Sequence, residues 1–190
     1  MDVEQRGDAH PLIRVLAEHQ PRTATEAAEL ARIRSLAREP AALSRSTPLH
    51  ITASALVVHP STGQVLLRWH PRQRGWLQVG GHPDEGETDP LAVALREAIE
   101  ETGLDDVTPW PDGRLLHVVI VPVPASPSEP AHEHADLRFV LRTEQPRAAR
   151  PENPEAALRW VEISEAREVV REENLRETLS RIEELFAVVR

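Results

Sequence analysis

The residues able to do chemistry are concentrated between Gly80 and Leu104. A double glycine, Gly80-Gly81, leads into the acidic turn Asp84-Glu85-Gly86-Glu87, and the segment closes on Arg96-Glu97-Ala98-Ile99-Glu100-Glu101-Thr102-Gly103-Leu104. Asp89-Pro90 offers an N-cap followed by proline at the first helical position, and Gly103 offers a C-terminal stop, so the spacing predicts a helix from about Pro90 to Thr102. At about 100° per residue, Glu97, Glu100 and Glu101 fall within roughly 100° of arc, while Leu91, Leu95, Ala98, Ile99 and Thr102 gather on the opposite side. Like charges at these spacings weaken an isolated helix. A hard divalent cation reverses the penalty, because Mg²⁺ and Mn²⁺ prefer oxygen ligands. The plainer alternative is a solvated acidic face. The glycine bend and Glu87, held at fixed distances from the cluster, weigh toward the metal.

Gly81 to Leu104 resembles the Nudix box, Gx5Ex7REUxEExGU with U aliphatic. Gly81, Glu87, Arg96, Glu97, Ile99, Glu100, Glu101, Gly103 and Leu104 fill that pattern. Thr88 to Leu95 is eight residues where the family has seven, and the extra one lies near Asp89-Pro90, at the entry to the helix. The resemblance extends more weakly to Val65-Leu66-Leu67-Arg68, to Trp76-Leu77-Gln78-Val79 and to Arg159-Trp160-Val161, covering about residues 48 to 170.

The resemblance implies an α/β (α+β) fold, an α/β/α sandwich with a mixed sheet. It also implies hydrolysis of a diphosphate linked to another group, usually a nucleoside diphosphate derivative, by metal-assisted attack of water on phosphorus. By that resemblance Glu97, Glu100 and Glu101 ligate one to three Mg²⁺ or Mn²⁺ ions, with the Gly81 carbonyl as a further ligand. Arg96 orients Glu87 or Glu97 through a forked pair of hydrogen bonds. The general base comes from the box or from a later loop, where Glu152 and Glu155 stand just before Trp160.

Other residues leave alternatives open. His132, His134, Asp136 and Arg138 alternate and share one face of a strand. They line the substrate pocket, or point to solvent, or supply a zinc site from two histidines and the aspartate. A similar string, together with N-terminal helices, occurs in a subset of bacterial Nudix proteins. Arg68, His70, Arg72 and Arg74 are a phosphate clamp or solvated surface charge. Trp69 and Trp76 stack on a substrate ring or fill space between sheet and helix, and Trp160 reads as core.

The elements that must position these residues follow from periodicity. Pro11 to Arg38 has helical spacing broken at Pro21 and Thr23, giving a helical pair. We therefore divide the chain into a helical extension, 1–45, and a catalytic domain, 46–190. Ile51 to His59 and Gln64 to Trp69 flank the turn Pro60-Ser61-Thr62-Gly63 as a hairpin. Trp76 to Val79, Leu115 to Val121, Leu137 to Arg142 and Leu158 to Ile163 read as further strands, and Glu173 to Val189 as a closing helix. The Pro-rich segments Pro122 to Pro130 and Pro146 to Pro154 read as loops, because proline lacks the ladder donor.

The 190 residues contain 22 basic residues, all arginine, against 31 acidic ones, a net charge of −9. That balance disfavours nucleic-acid duplexes and anionic membranes as partners. The absence of Cys removes disulfides, thiolate metal sites and Cys nucleophiles. It also disfavours the diphosphate isomerisation found on this fold, which uses a Cys in the relatives concerned. No apolar run approaches the ~20 residues of a membrane span. The Met-Asp-Val-Glu-Gln-Arg start has no leader character, so a cytoplasmic protein is expected. A homodimer built through the N-terminal helices or the apolar stripe of the last helix is a further expectation. A non-catalytic nucleotide-binding or regulatory module is the competing function.

Overall fold

A computed structural model describes residues 10–127 and 129–189. The start read above as lacking a leader lies outside them, as does the first part of the 1–45 extension. The chain runs α1 (Pro11–Glu18), α2 (Ala24–Leu36), β1 (Leu49–His59), β2 (Gln64–His70), β3 (Gly75–Leu77), β4 (Val79–Gly81), α3 (Pro90–Thr102), β5 (Thr108–Pro109), β6 (His117–Val123), β7 (His132–Arg142), β8 (Leu158–Glu162), α4 (Ile163–Val169) and α5 (Glu173–Val189).

The strands form one mixed, forked sheet of α+β type. β1 and β7 run parallel through its centre, from Leu49 opposite Glu133 to Val58 opposite Arg142. The remaining ladders are antiparallel. The fork arises because β1 changes partner along its length: Ala53 to Ala55 pair with β4, and Val57 to His59 pair with β2. The strand predicted at Trp76 to Val79 is accordingly two strands, one on β2 and one on β1, with Gln78 at the break.

Alternation along β1 divides the core. Ile51, Ala53, Ala55 and Val57 face one side with Val93, Ala94 and Ala98 of α3 and Leu12, Leu16, Leu30 and Ile33 of α1 and α2. Leu56 and Val58 face the other, with Leu175, Leu179, Ile182 and Phe186 of α5. Each of the larger side chains, the valines, leucines, isoleucines and Phe186, contributes roughly 1.5–3 kcal/mol on full burial, which fixes both helical layers on the sheet. The stripe of α5 expected to offer a dimer surface is therefore spent within the chain. Ile99, expected on the apolar face of α3, is exposed.

Among the described residues β6 pairs only with β7 and would present free backbone donors along its outer edge. Helix α2 covers that edge, where Glu26 accepts from the Val118 N–H at 3.3 Å and Glu29, one turn on, stands near the Ile120 N–H. Arg181 of α5 completes the closure by donating to both Glu26 oxygens, at 2.8 and 2.9 Å, and to the Leu116 carbonyl at 3.0 Å. Pro122, read as loop, lies in β6, where an edge position tolerates its missing donor. α4 replaces the end of the strand predicted to reach Ile163.

Candidate functional site

Helix α3 forms as the sequence predicts. The Asp89 carboxylate accepts from the Leu91 N–H at 3.0 Å, Pro90 opens the first turn, and Gly103 closes the helix at φ +64°, a left-handed conformation suited to glycine. Its carboxylates meet the double glycine. The Gly80 N–H donates to Glu101 Oε2 at 3.0 Å. A Cβ built on Gly81 would overlap the Glu97 carboxylate, and one on Gly80, at φ +147°, would overlap Ser54. Both glycines are thus required by close approach, one to the acidic helix and one to β1.

Arg96 ties the segment together. Its Nε donates to both oxygens of Glu87 at 3.1 and 3.2 Å, and its Nη1 donates to Glu97 and Glu100, each at 3.0 Å. Its Nη2 donates to Glu87 and to the His82 carbonyl, each at 2.9 Å. The extra residue before the helix leaves Glu87 within this grip. The pairing holds the Glu87 carboxyl below its usual range and raises the guanidinium.

Glu101 is more enclosed. Burial drives its carboxyl up to about 7 despite Arg68, whose Nη2 stands 3.2 Å away. Burial also raises Glu97, against the pull of Arg96. The same Arg68 nitrogen lies 3.5 Å from Glu152, so the later loop reaches the box through an arginine. Arg68 Nε is buried and has no hydrogen-bond partner among the described residues. Glu155 is exposed on the turn at Asn153, with its N–H bonded to the Asn153 side chain.

The remaining sequence candidates divide by position. His70 accepts from the Gln73 N–H in the turn after β2, while Arg72 and Arg74 are exposed there; among these arginines and His70, only Arg68 contacts a box carboxylate among the described residues. Trp69 and Trp76 are register partners across β2 and β3 and pack edge to face at 5.5 Å. Trp160, half-buried against the core, donates to the Pro146 carbonyl at 2.9 Å.

The alternating string lies on β7, but its two halves differ. Asp136 is buried and accepts from Thr52 (3.1 Å), Ser54 (2.9 Å), Gln78 (3.3 Å) and Arg138 (2.9 Å). Arg138 also donates to Thr178 and Asn174 of α5, each at 3.0 Å. These two residues brace the central strands against α5, and the Asp136 oxygens are already committed. His132 and His134 instead join His50 of β1 and His82, the residue after β4. Parallel pairing sets His50 opposite His134; the His50 ring lies about 5 Å, centre to centre, from each of the other three, and His134 lies as close to His82 and His132. Burial lowers the His50 imidazole; it also pushes His82 down to about 3 and His134 to about 4, helped by neighbouring positive charge at Arg45 and by the other imidazoles respectively. Sequence reading missed His50 and His82. His82 had a local signal, since it directly follows the double glycine, whereas nothing local marks His50.

A helix-borne set of carboxylates, buttressed by one arginine and pressed onto a glycine bend at the edge of a forked mixed sheet, defines the class. The NUDIX domain family model matches residues 48–182, and the chain belongs to the Nudix family. It is 34% identical over 108 residues to a probable DHNTP pyrophosphohydrolase of Lactococcus lactis, an alignment spanning 56% of this chain and 61% of that protein. It is 42% identical over 66 residues to an 8-oxo-(d)GTP phosphatase of Mycolicibacterium smegmatis, spanning 35% of this chain and 19% of that one. The chain thus spans about three fifths and one fifth of these relatives' lengths. In fold it is similar to a C. elegans Ap4A hydrolase, with a TM-score of 0.57 at 18% identity over 73% of this chain and 98% of that one. No helix of the described residues is long and apolar enough to cross a membrane.

Proposed function

We propose that this protein is a metal-dependent pyrophosphohydrolase that cleaves a nucleoside diphosphate linked to another group, through attack of water on phosphorus. The observation that carries this reading is the Arg96 network, which gathers Glu87, Glu97 and Glu100 beside the Gly80-Gly81 bend while Glu101 docks on the Gly80 N–H. A surface cluster has no need of such a brace.

The donor set fits a hard cation. Glu97, Glu100 and Glu101 offer carboxylate oxygens, the Gly81 carbonyl lies in the bend, and the missing Cβ of Gly81 leaves the space the Glu97 carboxylate occupies. Mg²⁺ or Mn²⁺ bound there would neutralise phosphate charge and lower the pKa of a bound water. Arg96 keeps the carboxylates aimed at the bend. Arg68, between Glu101 and Glu152, is placed to meet substrate phosphate, and Glu152 is the better-placed loop candidate for moving the water's proton. The relatives are named for action on phosphorylated heterocycles, which supports a nucleotide-like substrate. A cytoplasmic setting agrees with the lack of Cys and with that substrate class.

The test is a panel of nucleotide sugars, dinucleotides, ADP-ribose and oxidised nucleotides, with Mg²⁺ or Mn²⁺, read as phosphate released after phosphatase coupling. Hydrolysis of at least one compound, abolished by chelator, is expected. Full rate in excess chelator would overturn the metal mechanism. Tight nucleotide binding without turnover would favour the competing regulatory module.

A further inference from the structure

Next to the carboxylates lies a second donor set of different chemistry. His50, His82 and His134 each present a ring nitrogen within 4.8 Å of the other two, although they come from β1, from the end of β4 and from β7. His50 Nε2 is 3.0 Å from His82 Nε2, and His132 Nε2 is 3.1 Å from His134 Nε2.

The outer hydrogen bonds decide which nitrogens face inward. His50 donates from Nδ1 to the Thr47 carbonyl at 2.8 Å, and His132 donates from Nδ1 to the Pro130 carbonyl at 2.9 Å. A neutral imidazole with its proton on Nδ1 carries a lone pair on Nε2, so both rings direct a lone pair into the cluster. This carbonyl-anchored arrangement is the usual support of a metal-bound histidine. Among the described residues, the His82 and His134 rings make no hydrogen bond outside the cluster, and no carboxylate bonds any of the four rings. The Asp136 oxygens, two residues along β7 from His134, are committed elsewhere.

We propose that His50, His82 and His134 bind one transition-metal ion of the Zn²⁺ class at a site separate from the glutamate cluster, with His132 buttressing His134 from 3.1 Å. Zn–N bonds of about 2.0–2.1 Å set tetrahedral N···N edges of about 3.3 Å, close to the 3.0 Å between His50 Nε2 and His82 Nε2, with a His134 nitrogen within 4.8 Å of both. Imidazole favours Zn²⁺, whereas carboxylate oxygen favours Mg²⁺ and Mn²⁺, so the two neighbouring donor sets select different ions. The ion ties three elements together at His82, whose carbonyl accepts from Arg96. It therefore fixes one of the acceptors that hold the Arg96 guanidinium against the box. The inference does not depend on the hydrolase reading.

The test uses the full chain without affinity-tag histidines, stripped with chelator and titrated with Zn²⁺ in excess Mg²⁺. One equivalent of Zn²⁺ per chain is expected. His50→Gln and His134→Asn should weaken Zn²⁺ binding by about 100-fold or more, with Glu100→Gln and Glu101→Gln leaving it unchanged. Should the histidine variants misfold, the unaltered chain still decides the matter. Co²⁺ should give the visible spectrum of nitrogen ligation, and Zn²⁺ should protect His50, His82 and His134 from diethyl pyrocarbonate, mapped by mass spectrometry. No stoichiometric binding, unprotected histidines, or binding lost only in the glutamate variants would overturn the proposal.

Discussion

The carboxylate of Glu97 occupies the volume that a side chain on Gly81 would need. The glycine required by the box is thus a spatial requirement imposed by the helix opposite. Gly81→Ala should move Glu97 off the bend, lowering metal-dependent turnover about 100-fold or more. The stability cost should be only the roughly 1–3 kcal/mol typical of overpacking. Steady-state kinetics and a thermal melt on one preparation check this; undiminished turnover would remove Glu97 from the site.

Glu100→Gln and Glu101→Gln should each reduce turnover by orders of magnitude. For Glu100 the thermal midpoint should stay level or rise. Its carboxylate is half-exposed, its pair with Arg96 contributes about 0–1 kcal/mol at most, and its repulsion with Glu97 is relieved. Unchanged turnover in both variants would return the cluster to the status of a solvated face.

Acid stability should report on the Glu26–Arg181 pair. Burial acts to raise the Glu26 carboxyl, but Arg181, the Arg22 N–H and His19 outweigh it and hold the group at about 2, against an ordinary 4.5. A lowered carboxyl stabilises the fold above its unfolded value and loses that contribution as pH falls from 4.5 toward 2. The contribution is about 3 kcal/mol at most. Denaturant unfolding between pH 6 and 2.5 should show a fall that is diminished in Glu26→Gln, which is also less stable at pH 6 because Arg181 is left buried without its partner.

Asp136→Ala should cost about 3–5 kcal/mol, since Arg138 remains buried and loses its carboxylate. Adding Arg138→Met should recover part of that loss. A double-mutant cycle in urea measures the coupling; additive effects would show that the two do not act as a pair.

Much of the frame could be read directly from local signals. The bounds of α3 follow from Asp89, Pro90 and Gly103, and α5 follows from apolar spacing, so both spans match the reading. The strand after Gly75 did not, because a sheet that forks hands β3 and β4 to different neighbours, and pairing partners leave no mark on so short a run. Pro122 was misread for the same reason: its tolerance in β6 depends on that strand lying at an edge.

The sequence by itself determined the acidic helix, its glycine bend and hence the family, because those features lie within one stretch of 24 residues, Gly81 to Leu104, where spacing alone sets relative direction. Tertiary structure decided which distant groups serve that stretch. It brought Arg68 and Glu152 to Glu101, committed Asp136 to bracing β1 and β7, and placed His50 beside His82 and His134. Helical and strand periods state which way a side chain points from its own backbone; only the packing of separate elements states what it meets there.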